Sequence, residues 1–248
     1  MTWALDLDGV LWRGSVPIPG SADAVAALRA AGERVVFLTN NSALPIDAYV
    51  RKLGDNGVEV GPEDVASSAQ AAARLVQPGE RVLLCAGAGA EEALRQRGAD
   101  VVSDGPADAV VVGLHLEFDY GRLHAAMSAV VGGARLIGTN EDRSYPTADG
   151  AMPGAGSLLA AVAYAASAVP VVAGKPHAPM AELVQERFGR IDMVVGDLPA
   201  TDGRLARRLG ARFALVLSGV TAQADGVDPA PDLVADDLAS LVAAYQPG

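Results

Sequence analysis

Short apolar runs alternate along this chain with segments of helical spacing. Trp3-Ala4-Leu5 leads straight into Asp6-Leu7-Asp8-Gly9, and so brief an apolar run predicts a buried parallel strand. Ser21 then precedes Ala24, Val25 and Leu28 at helical spacing, and Gly32 stops that helix. Residues 34–38 predict a second buried strand, which ends in Thr39-Asn40-Asn41-Ser42 before a helix from Pro45. After a helix over 67–76, the alternation starts afresh. It predicts strands at 81–85, 101–102, 109–114 and 135–138, with helices at 88–98 and 123–131 between them. Residues 138–146 show no periodicity and predict a long polar loop of the kind often used for binding. A buried helix over 157–166 and a strand over 169–172 follow. The last units are a helix over 180–188, a strand over 191–195, a helix through Leu209, a strand over 213–217 and a helix over 236–245.

Strand–helix alternation of this kind predicts an α/β fold built on parallel sheet. The restart near residue 79 predicts a discontinuous organisation, with a core of residues 1–78 and 170–248 and an α/β insertion over 79–169. Half the residues are hydrophobic and a fifth charged, which is a globular composition. The net charge of −11 argues against nucleic-acid or anionic-membrane partners. It does not argue against a phosphorylated substrate, because a metal and a few local cations dominate a single cleft. Cys85 is the only cysteine, so no intrachain disulfide forms and a reducing, cytoplasmic setting is expected. No secretory signal pattern precedes Asp6 and Asp8. Residues 151–174 carry no charge, yet Pro153, Gly154, Gly156 and Pro170 punctuate them. They read as loop, helix and strand rather than as a membrane span.

Chemistry is concentrated at predicted strand ends. Ligands of open α/β sheets bind beyond the carboxyl ends of strands, where Asp6 and Asp8 fall. Two carboxylates that close call for a shared cation or proton, and Mg²⁺ takes one or two carboxylates together with phosphate oxygens. A solvated Asp-Gly turn is the plainer alternative. Thr39-Asn40-Asn41-Ser42, with a helix N-terminus behind it, makes an anion-binding corner or an ordinary capping loop. Lys175, pinned between Gly174 and Pro176, is placed as a point charge in a loop. Asp197 again closes a strand, with Thr201-Asp202 just beyond. Gly87-Ala88-Gly89 lacks the third glycine of a dinucleotide fingerprint and reads as a turn. Acidic and small polar groups at three strand ends, with one fixed lysine, point to phosphoryl transfer.

Asp6-Leu7-Asp8-Gly9-Val10, Thr39-Asn40-Asn41, Lys175 and Gly196-Asp197…Thr201-Asp202 resemble, in order, the four motifs of the haloacid dehalogenase superfamily. Asp8-Gly9-Val10-Leu11-Trp12-Arg13-Gly14, Gly138-Thr139-Asn140, Pro153-Gly154-Ala155-Gly156-Ser157 and Gly174-Lys175-Pro176 resemble its NagD-like phosphatase branch. The resemblance implies a Rossmann-like core with a large inserted cap. It implies Asp6 as nucleophile, Asp8 as acid and then base, and Thr39, Asn40 and Lys175 as phosphate-binding groups. Mg²⁺ would sit on the side chains of Asp6 and Asp197 and the backbone carbonyl of Asp8, with Asp202 orienting its water shell or Lys175. Asn140, Asp142, Arg143 and Tyr145 are candidates for a substrate-facing loop, or for holding the cap's shape. The substrate would be a small phosphorylated metabolite, and a homodimer through the cap is compatible with the resemblance. Leu198, Gly203 and His115 depart from the residues usual in relatives. The competing readings are a phosphometabolite-binding protein without turnover, a phosphomutase and a dehalogenase.

Overall fold

The α/β expectation is met by two parallel sheets in the computed structural model, which describes residues 1–147 and 150–245. The chain divides into two units: Met1–Thr39, Asp47–Ala66 and Ala181–Gly248 form one, and Asn40–Ile46 with Ser67–Met180 form the other.

The first unit carries a six-stranded sheet in the order Leu233–Ala235, Arg212–Val216, Met193–Gly196, Thr2–Asp6, Arg34–Thr39, Val65–Ser67. Thr2–Asp6 lies parallel to both of its neighbours, with Ala4 opposite Val194 on one side and Val36 on the other. Trp3, Ala4, Leu5, Val36 and Phe37 are wholly buried. That is why the strands read as continuous apolar runs rather than as alternations. From its first strand the chain crosses to one side for Arg34–Thr39 and returns on the other for Met193–Gly196. Strand order therefore switches direction at this point, leaving a crevice at the carboxyl ends. Asp6, Thr39 and Asp197 all fall at those ends.

The second unit holds a five-stranded sheet in the order Val171–Val172, Arg135–Gly138, Ala109–Val112, Arg81–Cys85, Asp100–Val102, every pairing parallel. The helices Tyr120–Val131 and Ala155–Ala166 cover it, and Leu83, Val110, Val112, Leu136, Leu159 and Val162 pack into one apolar cluster. Residues 67–78 and 170–180 belong to this unit, the latter through Val171–Val172, which pairs with Ile137 and Gly138. Cys85 is buried in the same cluster, and burial pushes its thiol up to about 11. So high a value leaves almost no thiolate at neutral pH.

Two expectations need correction. The polar loop of 138–146 is shorter than expected, because Ser144–Thr147 pairs antiparallel with Gly150–Pro153. A four-residue strand containing Pro146 offers no apolar alternation to read. The helix expected over 67–76 is confined to Ser68–Ala73 and is preceded by the strand Val65–Ser67. Ser67 makes the switch: its Oγ accepts from the Gln70 N–H while Gln70 Oε1 accepts from the Ser67 N–H, a reciprocal cap. The uncharged stretch of 151–174 resolves into the end of the ribbon, a twelve-residue helix and the strand Val171–Val172. Among the described residues no helix is long and apolar enough to cross a membrane.

Truncating the fully buried Leu83 to alanine is expected to cost about 2–5 kcal/mol in denaturant unfolding. The same change at exposed Leu116 should stay within about 0.5 kcal/mol. Equal losses at the two positions would contradict the placement of the second unit's core.

Candidate active site

Backbone geometry gathers three carboxylates at one end of the first unit's sheet. Asp6 closes the strand Thr2–Asp6, and Asp197 follows Met193–Gly196 directly. Asp202 lies in the short π-helical turn Pro199–Gly203 that comes next. One carboxylate oxygen from each of Asp6, Asp197 and Asp202 lies within 4.8 Å of the others. Asp197 and Asp202 are almost entirely buried. Charged oxygens this close in so dry a setting repel strongly unless a cation or a proton joins them.

Particular backbone groups hold Asp197 and Asp202. The Val220 N–H donates to Asp197 Oδ2 at 2.6 Å, and the Leu198 N–H donates to Asp202 Oδ2 at 3.2 Å. Glycines make the approach possible. Gly9 sits at φ +82, where side chains are disfavoured, and a Cβ there would collide with the Asp197 carboxylate. A Cβ on Gly219 would overlap that same carboxylate, and one on Gly196 would overlap Asp202. Ser218 ties these walls together, its Oγ donating to the Gly9 carbonyl at 2.7 Å, while Arg13 Nε donates to the Ser218 carbonyl. The set of hard oxygen donors, in a cradle that added methyl groups would fill, fits a small divalent cation.

Asp8 projects elsewhere. Its Oδ1 accepts a 2.9 Å hydrogen bond from the indole Nε1–H of Trp12, and it is not one of the three clustered carboxylates. Thr39, also in the first unit, ends its strand almost wholly buried.

Asn40 is the hub of the second unit's polar residues. Its Oδ1 accepts from the Lys175 N–H at 2.7 Å and its Nδ2 donates back to the Lys175 carbonyl at 3.1 Å. Nδ2 also donates to Asp142, 3.2 Å from Oδ2. The Asn40 carbonyl accepts from Asn140 Nδ2 at 2.7 Å and from Ser68 Oγ at 2.5 Å. Gly174 is close-packed here as well, since a Cβ would lie 2.6 Å from Asn40 Oδ1. Lys175 is thus fixed by its backbone, and its long side chain is buried. Asn140 and Asp142 face inward to Asn40. Arg143 instead contributes its carbonyl, which accepts from Gly154 N–H at 2.8 Å and Ser157 Oγ at 2.7 Å. Its exposed side chain borders a recess of about 330 Å³ with Glu141, Leu159 and Val172. Tyr145 lies in the two-stranded ribbon opposite Met152.

Motif reading missed the Ser218–Val220 loop and, although it includes Trp12, gave that residue no role. A signal existed for the loop: Leu217-Ser218-Gly219 places small residues at the end of a buried strand, the same pattern that marks the other strand ends. The three departures also find physical settings. Leu198 serves Asp202 through its backbone N–H, which any non-proline residue supplies. His115 belongs to the second unit, where its Nδ1 accepts from the Glu117 N–H at 3.2 Å. Burial and the Arg122 charge pull its pKa down. Gly203 is required by packing, because a Cβ would sit 2.8 Å from Pro229 and 2.9 Å from the Phe213 ring.

Gly203→Val, which introduces a branched aliphatic side chain at that contact, is therefore expected to cost about 1–3 kcal/mol through overpacking. Unchanged thermal unfolding in that variant would contradict the contact.

A family model for haloacid dehalogenase-like hydrolases matches residues 3–100, and an HAD-hydrolase-like model matches residues 172–241. The sugar-phosphatase AraL of Bacillus subtilis is 31% identical over 98% of this chain and 93% of its own length. The p-nitrophenyl phosphatase of Archaeoglobus fulgidus superimposes with a TM-score of 0.90 at 30% identity, covering 98% of each chain. The glycerol phosphate phosphatase of Mycobacterium tuberculosis, solved in complex with magnesium, superimposes with a TM-score of 0.89 at 33% identity over 97% of this chain and 75% of that one. With these likenesses running nearly end to end, the chain belongs to the haloacid dehalogenase-like hydrolases, in their NagD-like branch, and is a phosphoric monoester hydrolase.

Proposed function

We infer that this phosphatase hydrolyses a small phosphorylated metabolite, of the sugar- or glycerol-phosphate class, through an aspartyl-phosphate on Asp6. The observation that carries the reading is the convergence of Asp6, Asp197 and Asp202 at one sheet end. Such a cluster is costly to keep charged without a cation, and a cation is what a phosphate dianion approaching a carboxylate nucleophile needs.

Asp6 and Asp197 would hold Mg²⁺ with their carboxylates and Asp8 with its backbone carbonyl, while Asp202 orients the surrounding water. When bound, the ion neutralises charge on the phosphoryl oxygens and on Asp6. The remaining chemistry is the chain's own. A carboxylate oxygen of Asp6 attacks phosphorus as the ester P–O bond breaks, and Asp8 gives its proton to the departing alkoxide. Asp8, now a carboxylate, takes a proton from water as that water attacks the phosphorus. The P–O bond to Asp6 breaks, phosphate leaves, and both acids return to their starting states. Thr39 and the Asn40 backbone are assigned to the phosphoryl oxygens. Both Nδ2 hydrogens of Asn40 have partners in Lys175 and Asp142, so its side chain acts as the brace for Lys175. Lys175 is assigned the counter-charge to phosphate and nucleophile. Asn140 and Asp142 support that brace, and Arg143 and Tyr145 are left as the groups for contacting the ester's organic portion.

Purified protein should hydrolyse p-nitrophenyl phosphate with Mg²⁺ and lose that activity in EDTA. Asp6→Asn should lower kcat by about 10⁴-fold or more with an unchanged circular dichroism spectrum. Acid quenching of the wild type during turnover should leave a phosphoryl adduct on Asp6 by mass spectrometry. Retained turnover in Asp6→Asn, or an adduct on another residue, would remove Asp6 from its role.

A further inference from the structure

The acid of this site has a partner that its motif does not name. Trp12 lies four residues after Asp8, opens the two-residue strand Trp12–Arg13 and is 1% exposed. Backbone bonds fold the loop onto itself: the Leu11 N–H donates to the Leu7 carbonyl at 2.8 Å, and the Gly9 N–H donates to the Trp12 carbonyl at 2.7 Å. This turn brings the indole back over Asp8, and its Nε1–H donates to Asp8 Oδ1 at 2.9 Å. The ring is fixed in turn from its other side. Lys52, from the helix Ile46–Asp55, places Nζ 3.9 Å from the Trp12 ring centroid and donates to the Gly14 carbonyl at 2.8 Å. A cation over an indole face in a half-buried setting is an attractive contact that also sets the ring's plane.

An indole N–H only donates. Asp8 Oδ1 is therefore the acceptor of this bond, and the bond sets the orientation of the carboxyl group. We propose that Trp12 is a positioning residue for the leaving-group acid, fixing the plane of the Asp8 carboxyl group, with Lys52 holding the indole in place. The inference rests on the assignment of Asp8 as the acid in the proposed function.

The test separates proton donation from folding and from the rest of catalysis. kcat/KM covers the steps through departure of the leaving group. Nitrophenolate leaves as a stable anion and hardly needs a proton, whereas phenolate from phenyl phosphate needs one more, and the two esters have nearly the same shape. Trp12→Phe keeps an aromatic ring under Lys52 and removes the N–H together with part of the bicycle, a loss of packing that acts on both esters alike. It should lower kcat/KM for phenyl phosphate by about tenfold or more, and for p-nitrophenyl phosphate by less than about threefold. Equal losses on the two esters, or no loss on either, would overturn the proposal. Asp8→Asn should show the same discrimination in stronger form. If Asp8→Asn discriminates and Trp12→Phe does not, only the role of Trp12 fails; if Asp8→Asn affects both esters equally, the assignment of the acid itself fails. A second reading needs no turnover. The chain has two tryptophans, so its indole N–H proton spectrum contains two resonances, and Asp8→Ala should move that of Trp12 upfield while leaving that of Trp3. A Trp12 resonance indifferent to Asp8→Ala would also overturn the proposal.

Discussion

Mutual repulsion among Asp6, Asp197 and Asp202 is the constraint around which the first unit's sheet end is arranged. Three carboxylates, one from the strand Thr2–Asp6 and two from the segment after Met193–Gly196, are brought within a few ångströms of one another, two of them almost wholly buried. The fold tolerates this because the rest of the strand is strongly held. Thr2–Asp6 is flanked by parallel partners on both sides, and its three central residues, Trp3, Ala4 and Leu5, are wholly buried. Hydrophobic burial along the strand thus offsets electrostatic strain at its tip. A divalent cation would turn that strain into an attraction, so an ion held there would also stabilise the fold.

Close approach of backbone to carboxylate is the second theme. Gly9, Gly196 and Gly219 each stand where a methyl group would strike Asp197 or Asp202. The loops that carry them are bonded to one another through Ser218 and Gly9, and through Arg13 and Ser218. The second unit uses the same device at Gly174, whose missing side chain admits Asn40 against the backbone of Lys175. The acids and the lysine are therefore oriented chiefly by backbone hydrogen bonds and by the absence of side chains. Positions set this way tolerate little displacement, and catalysis by preorganised charge depends on that.

Much of this was legible before any coordinates. Asp6, Asp8, Thr39 and Asp197 stand out because each follows an apolar run that can only be a buried strand, and strand ends are where α/β sheets bind ligands. Lys175 was legible from its glycine and proline neighbours. The dual nature of Asn40 was not, because a small polar residue after a strand reads the same whether its amide binds phosphate or braces a neighbouring lysine. Partners distant in the chain, such as Val220 for Asp197 or Lys52 for Trp12, leave no local pattern. Very short elements were missed for a related reason. Leu233–Ala235, Val65–Ser67 and the ribbon at Ser144–Thr147 hold too few residues for either period to register. Gly203 looked like a defect in its motif and is instead fitted to Phe213 and Pro229, a constraint only packing reveals.

Thermal unfolding of the wild type and Asp197→Asn, each with and without Mg²⁺, tests the central claim most directly. A cation held by the carboxylate cluster should raise the wild-type Tm by about 5–10 °C at a concentration near a hundred times its Kd. The same addition should leave Asp197→Asn nearly unmoved, and in EDTA the variant, relieved of one buried like charge, should melt no lower than the wild type. A variant that gains as much from Mg²⁺ as the wild type does would mean that the ion is bound elsewhere, and the account of the site would be wrong.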